Sequence, residues 1–166
     1  MKLKICGRFE VPDFANQGYT HMISIGDSND YFDGLRLPEI VEDNYLILKF
    51  TDTEDVAHRD APSFERMENL RVWLHRQSSV EGLLVHCAGG ISRSPAVALL
   101  SMCHFFPEED PLVHMHQVAR SAQCSYVWPN QRVIELGDQL LERNGQVVAA
   151  VDEWKREKDQ DAVQFE

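Results

Sequence analysis

One stretch, His86-Cys87-Ala88-Gly89-Gly90-Ile91-Ser92-Arg93-Ser94, constrains the fold of this chain more than any other. It sets a cysteine and an arginine at the two ends of a seven-residue loop. The apolar residues 82–85 that lead in read as a buried strand. Pro95 and the apolar residues 96–100 that lead out read as a helix entered at its first turn. A strand, a glycine loop and a helix start turn successive backbone N–H groups toward one point and make an anion site. A cysteine at the mouth of such a loop is expected as a thiolate. The arginine that closes it can hold two oxygens of a phosphate in its planar fork.

These residues resemble the signature loop of the cysteine-dependent protein tyrosine phosphatases. The match consists of His-Cys, five residues, Arg and Ser, with glycine three positions after the cysteine. The half from Ala88 to Ser94 is most similar to the dual-specificity branch and its compact bacterial relatives. A bare Cys-x5-Arg would say little; His86, Gly90, Ser94 and the strand–helix context make the pattern specific. Outside the loop the resemblance is looser, over residues 48–53 and 129–141, and residues 1–40 add little to it. The resemblance implies a protein-tyrosine-phosphatase-like α/β fold and a phosphorylated protein or peptide as substrate, with phosphate or another oxyanion in the loop and no cofactor or metal.

The chemistry gives each residue type a reason. Phosphate monoesters hydrolyse extremely slowly, so the site must lower a very high barrier. Attack by Cys87 on phosphorus splits that step in two. Ala88, Gly89, Gly90, Ile91, Ser92 and Arg93 would surround the phosphate, with Gly89 and Gly90 permitting close backbone approach. Arg93 would stabilise the equatorial oxygens in the transition state. By resemblance, Ser94 donates to the Cys87 sulfur and eases its departure, and His86 orients the loop through its backbone. The family also places an acid just after a strand and before the cysteine, to protonate the leaving group. Asp52 fits that place best, at the end of an apolar run and followed by Thr53; Asp55 and then Asp60 stand behind it in the same acidic stretch. Most of that stretch reads equally as a solvated loop, with Asp or Ser63 capping the next helix.

The remainder of the chain sets bounds. Its 166 residues suit one domain, read as a single phosphatase domain over 1–158 with a polar tail over 159–166. Strand candidates fall at 2–6, 21–25, 46–50 and 82–85. Residues 62–77 carry Phe64, Met67, Leu70 and Leu74 at helical spacing. Further helices are expected at 95–106, from the Asp110-Pro111 cap to 120, at 129–143 and at 147–158. Strands that feed helices predict an α/β fold with a small, mostly parallel central sheet flanked by helices. The formal charge of −11 argues against nucleic acid and acidic membrane surfaces as partners. No run is apolar enough for a secretory signal or a membrane span, and four cysteines without disulfide-framework spacing suit a reducing cytoplasm. The loop's variable positions contain no lysine; phosphatases of inositol lipids in the family it resembles often carry basic residues there, so the resemblance implies phosphoproteins rather than inositol lipids. His58, Arg59, Arg66, Arg71 and Arg76 read as a solvated face or as a rim to the site. His114 and His116 point to opposite sides of a helix and cannot chelate together. Asn130, after Trp128-Pro129, reads as a helix cap or as a holder of the loop. Two other classes fit part of the pattern: a sulfurtransferase, which would not need Asp52, and a catalytically idle phosphopeptide-binding module, which the intact Cys87, Arg93 and Ser94 argue against.

Overall fold

In the computed structural model, which describes residues 1–163 and their side chains through residue 160, four short strands form one sheet. These are β1 (Lys2–Gly7), β2 (His21–Gly26), β3 (Tyr45–Lys49) and β4 (Gly82–Cys87), in the order β1-β4-β2-β3. Every neighbouring pair is parallel. β4 is the last strand in sequence but lies inside the sheet, so its residues 82–87 are buried on both faces. That is why residues 82–85 form a continuous apolar run rather than an alternating one.

Five helices follow the expected places: α1 (Phe64–Arg76), α2 (Arg93–Phe105), α3 (Pro111–Ser121), α4 (Gln131–Leu140) and α5 (Gln146–Val163). α1, α2 and α3 pack directly on the strands, α4 lies against α1 and α2, and α5 against α3 and α4. One sheet face, with Ile5, Ile23, Ile25, Leu48, Leu83, Val85 and Cys87, joins Met67, Leu74, Leu99, Ile134 and Trp154 in the main core. The other face, with Cys6, Met22 and Leu84, is covered by Val11, Tyr19, Leu37 and Ile40 from the irregular segments between strands. Burying each of these side chains contributes roughly 1.5–3 kcal/mol.

The departures from the expected boundaries have local causes. α2 begins at Arg93, two residues before Pro95, because proline is tolerated in a first helical turn. α4 starts one residue after its cap, Asn130, and stops at Leu140, since Glu142 and Asn144 take φ of 54° and 55°. α5 runs through Val163, past the expected end at Lys158, and residues 164–166 lie outside the described ones. Arg8–Phe14 forms a 3₁₀ segment with Pro12 inside it, which the sequence reading did not anticipate. Phe64 is 48% exposed, so Trp73 rather than Phe64 completes the inner face of α1.

Candidate active site

The carboxyl ends of all four strands meet at one edge of the sheet, the usual place for a site in an α/β fold. Cys87 ends β4 and the loop Ala88–Ser92 links it to α2. The loop is held from outside by its carbonyls. Arg8 N donates to Ala88 O at 3.1 Å, Trp128 N to Ile91 O at 2.8 Å and Asn130 N to Ser92 O at 3.2 Å. In a trans peptide the N–H opposes the C=O. These three bonds therefore direct the amides of Gly89, Ser92 and Arg93 away from Arg8, Trp128 and Asn130. Gly90 has φ of +73°, and a Cβ there would lie 2.7 Å from the Cys6 carbonyl carbon. Both the left-handed backbone and the close approach to β1 require glycine.

Cys87 is 3% exposed, and its Sγ lies 3.1 Å from Ser94 Oγ and 3.3 Å from Gly90 N. The Gly90 amide donates to that sulfur, and the Ser94 hydroxyl lies within hydrogen-bond reach of it. Burial pushes the Cys6 and Cys103 thiols up to about 12, which makes them inert. All four cysteines are free. Ser92 sits at the N-cap of α2, yet its hydroxyl caps nothing; it donates to Asp52 Oδ1 at 2.7 Å. The first amides of α2 are therefore not occupied by their own cap.

Arg93 is nearly enclosed. Its Nη1 donates to Asp27 Oδ1 at 3.0 Å and to the Phe50 carbonyl at 2.9 Å. Its Nε is buried and makes no hydrogen bond, with Asp52 Oδ2 3.9 Å away. The imidazole of His86 does not enter the site. Its Nε2 lies 2.6 Å from Ser24 Oγ, which lies 2.9 Å from the Tyr45 hydroxyl. Burial, reinforced by the Arg8 charge, pushes this ring down to about 4. A neutral imidazole thus ties β4 to β2 and β3 directly beneath the loop, through its side chain rather than its backbone alone.

Of the three candidate acids, Asp52 alone reaches the loop. Its Oδ1 accepts from Ser92 Oγ and, at 2.8 Å, from Asn130 Nδ2. Asn130 is both a cap, accepting from Val133 N at 3.0 Å, and a strut to the acidic segment. Asp55 turns back on its own segment and accepts from Ala57 N. The Arg66 guanidinium, with the Ser28 hydroxyl, holds the Asp60 carboxyl below the usual range. That bond also engages Arg66, and Arg71 pairs with Glu68, so neither is free to rim the site. His114 is buried with Nε2 near Phe106 O, His116 pairs with Glu157, and His104 packs on His75. Among the described residues no three His, Cys, Asp or Glu side chains converge.

Two contributors were not read from the sequence: Asp27 and Ser24. No motif marks either, and each lies more than sixty residues from its partner. Asp27 did carry one signal, its place just after an apolar strand, the same placement that singled out Asp52.

No protein-family model and no curated protein matches the sequence. Solved structures do. PTPMT1, in complex with PI(5)P, aligns with a TM-score of 0.56 at 12% identity over 86% of this chain and 91% of its own. The PTP-2 phosphatase of Cydia pomonella gives 0.56 at 18% identity over 84% and 85%. A mouse putative dual specificity phosphatase complexed with zinc tungstate gives 0.51 at 21% identity over 84% and 79%. The small parallel sheet with its helical layer is the fold of these proteins.

Proposed function

We propose that this chain, which has the fold of the cysteine-dependent protein tyrosine phosphatases, is itself a phosphatase that removes phosphate from protein side chains, phosphotyrosine foremost, through a cysteinyl-phosphate intermediate. The observation that carries this reading is the pairing, within one loop, of a sulfur in hydrogen-bond contact with a hydroxyl and an amide, and a guanidinium whose buried Nε makes no hydrogen bond, with Asp52 Oδ2 3.9 Å away. Such a loop accommodates an oxyanion against a nucleophile. The amides of the Cys87–Arg93 loop and the Nε edge of Arg93 hold the phosphate oxygens. The Cys87 thiolate attacks phosphorus and the ester P–O bond breaks. The leaving oxygen takes a proton from Asp52. Oδ1 of Asp52 already accepts two hydrogen bonds, which leaves Oδ2, the oxygen that faces Arg93, to deliver it. In the second step Asp52 takes a proton from water, the water oxygen attacks phosphorus, and the S–P bond breaks. Ser94 donates its hydroxyl proton as a hydrogen bond to the departing sulfur.

We read the chain as a single catalytic domain, expected over residues 1–158 and carried by α5 to Val163, that works in a reducing cytoplasm, which its free thiols suit. The choice of phosphoprotein over inositol lipid rests on charge. Ala88, Gly89 and Ile91 bring no cation to the loop, while the exposed Asp27 and Asp52 bond to it through Arg93 and Ser92. A headgroup with several phosphates would meet these carboxylates at close range. The test is phosphate release from an aryl phosphate, a phosphotyrosine peptide and PI(5)P, each with EDTA present. The reading predicts turnover of the first two, unchanged by the chelator, and faster hydrolysis of the peptide than of the lipid. A chelator-sensitive rate would remove the cysteine mechanism, and preference for the lipid would remove the substrate assignment.

A further inference from the structure

Arg93 is held by a second acid that the reading above leaves without a role. Asp27 lies 66 residues from Arg93, at the carboxyl end of β2, and its Oδ1 accepts from Arg93 Nη1 at 3.0 Å. The Phe50 carbonyl accepts from the same nitrogen at 2.9 Å. Asp27 is itself fixed from behind. Its N–H donates to Asp30 Oδ2 at 2.8 Å, and Asp30 N donates back to Asp27 O at 3.0 Å. Asp30 Oδ1 pairs with Arg8 at 3.3 Å, and Arg8 N donates to Ala88 O at 3.1 Å in the loop. The circuit from loop to Arg8, Asp30, Asp27 and Arg93 thus closes on the loop again. Gly26 lets this turn press against the strand end, for a Cβ there would meet Phe32 Cζ at 2.7 Å.

A guanidinium is planar, so holding one terminal nitrogen at two points fixes the direction of its other edge. The Arg93 side chain is 5% exposed, which leaves it little other freedom. We propose that Asp27 is a positioning residue: together with the Phe50 carbonyl it clamps Nη1 and so presents the Nε edge of Arg93 to an oxyanion in the loop. The identity of that oxyanion as a phosphoryl group rests on the phosphatase reading; the clamp itself rests on the geometry. The competing view is that Asp27 only neutralises Arg93. The two views predict opposite signs. A neutralising carboxylate repels an incoming anion, so its removal tightens binding. A clamp holds the fork in register, so its removal weakens binding.

The experiment measures orthovanadate binding by calorimetry and aryl phosphate kinetics for the full chain. The variants are Asp27→Ala and Asp27→Asn, with Asp27→Ala repeated in an Arg93→Lys background. The Asp27 side chain is 54% exposed, so these variants are expected to fold, and thermal melting checks that they do. Asp27→Ala is expected to weaken vanadate binding and lower kcat by about 10²-fold, the scale of a misplaced catalytic group. Asp27→Asn, whose amide oxygen still accepts from Nη1, should recover most of that loss. In the Arg93→Lys background, Asp27→Ala should add less than about twofold, because lysine has no second nitrogen to clamp. Unchanged or tighter vanadate binding by Asp27→Ala overturns the proposal, and so does an equal loss in both backgrounds. A wild-type chain that binds vanadate without turnover sinks the phosphatase reading and leaves the binding arm to decide the clamp. A wild-type chain that does not bind vanadate sinks both.

Discussion

The two edges of Arg93 are unlike: Nη1 is committed to Asp27 and Phe50, while Nε makes no hydrogen bond and, in the proposed reaction, meets the phosphate. A lysine supplies the charge but a single nitrogen, which cannot serve both sides. Arg93→Lys should therefore lose aryl phosphate turnover nearly as completely as Arg93→Ala; a mild lysine phenotype in steady-state kinetics would make the arginine a field source and nothing more. At Asp52 the expectation concerns proton delivery. Asp52→Asn should slow hydrolysis by roughly 10²-fold, and less so for a better leaving group. Asp55→Asn, three residues on and bonded to Ala57 N, is the control and should behave as wild type. If the leaving-group-dependent loss appears in Asp55→Asn instead, the acid is Asp55.

The elements place these groups by tight packing, and two glycines show it. A Cβ on Gly137 in α4 would collide with the Leu100 side chain of α2, itself fully buried. Gly137→Ala should cost roughly 1–3 kcal/mol by overpacking, read as a lower denaturant midpoint in urea. Gly90→Ala would add a left-handed strain of roughly 1–2 kcal/mol to a clash with β1, and vanadate affinity should fall with it. The loop and its flanking elements were legible because they are local. Residues 82–100 encode strand, turn and helix in one uninterrupted stretch, and the Asp110-Pro111 and Asn130 caps are read by their neighbours. What was not legible is what the topology brings together across the chain. The Asp27 contact depends on β2 lying beside β4, the Ser24–His86 bond on their register, and the Glu54 carboxylate on Gln131 N on the approach of α4. The 3₁₀ segment Arg8–Phe14 was missed because its shape is set by capping of Gly7 N by Glu10 and by packing of Val11, not by an apolar period.

At the scale of the whole molecule, one buried imidazole in the sheet makes stability sensitive to acid. The His86 imidazole is pushed from an ordinary 6.5 to about 4 by burial, so the unfolded chain binds a proton in that window that the folded chain does not. Its contribution is complete above pH 6.5 and is lost as pH falls toward about 4, on the order of 3 kcal/mol in all. Urea melts across that range should show wild type losing more stability than His86→Gln; parallel losses would place the acid sensitivity elsewhere. In the proposed reaction nucleophile and anion cradle are separate parts of one loop, and Cys87→Ser separates them, with vanadate binding and aryl phosphate turnover measured on the same preparation. Binding should persist, because the loop amides and Arg93 are intact, while turnover vanishes. Turnover above a few per cent of wild type in Cys87→Ser would place the nucleophile elsewhere and contradict that reaction.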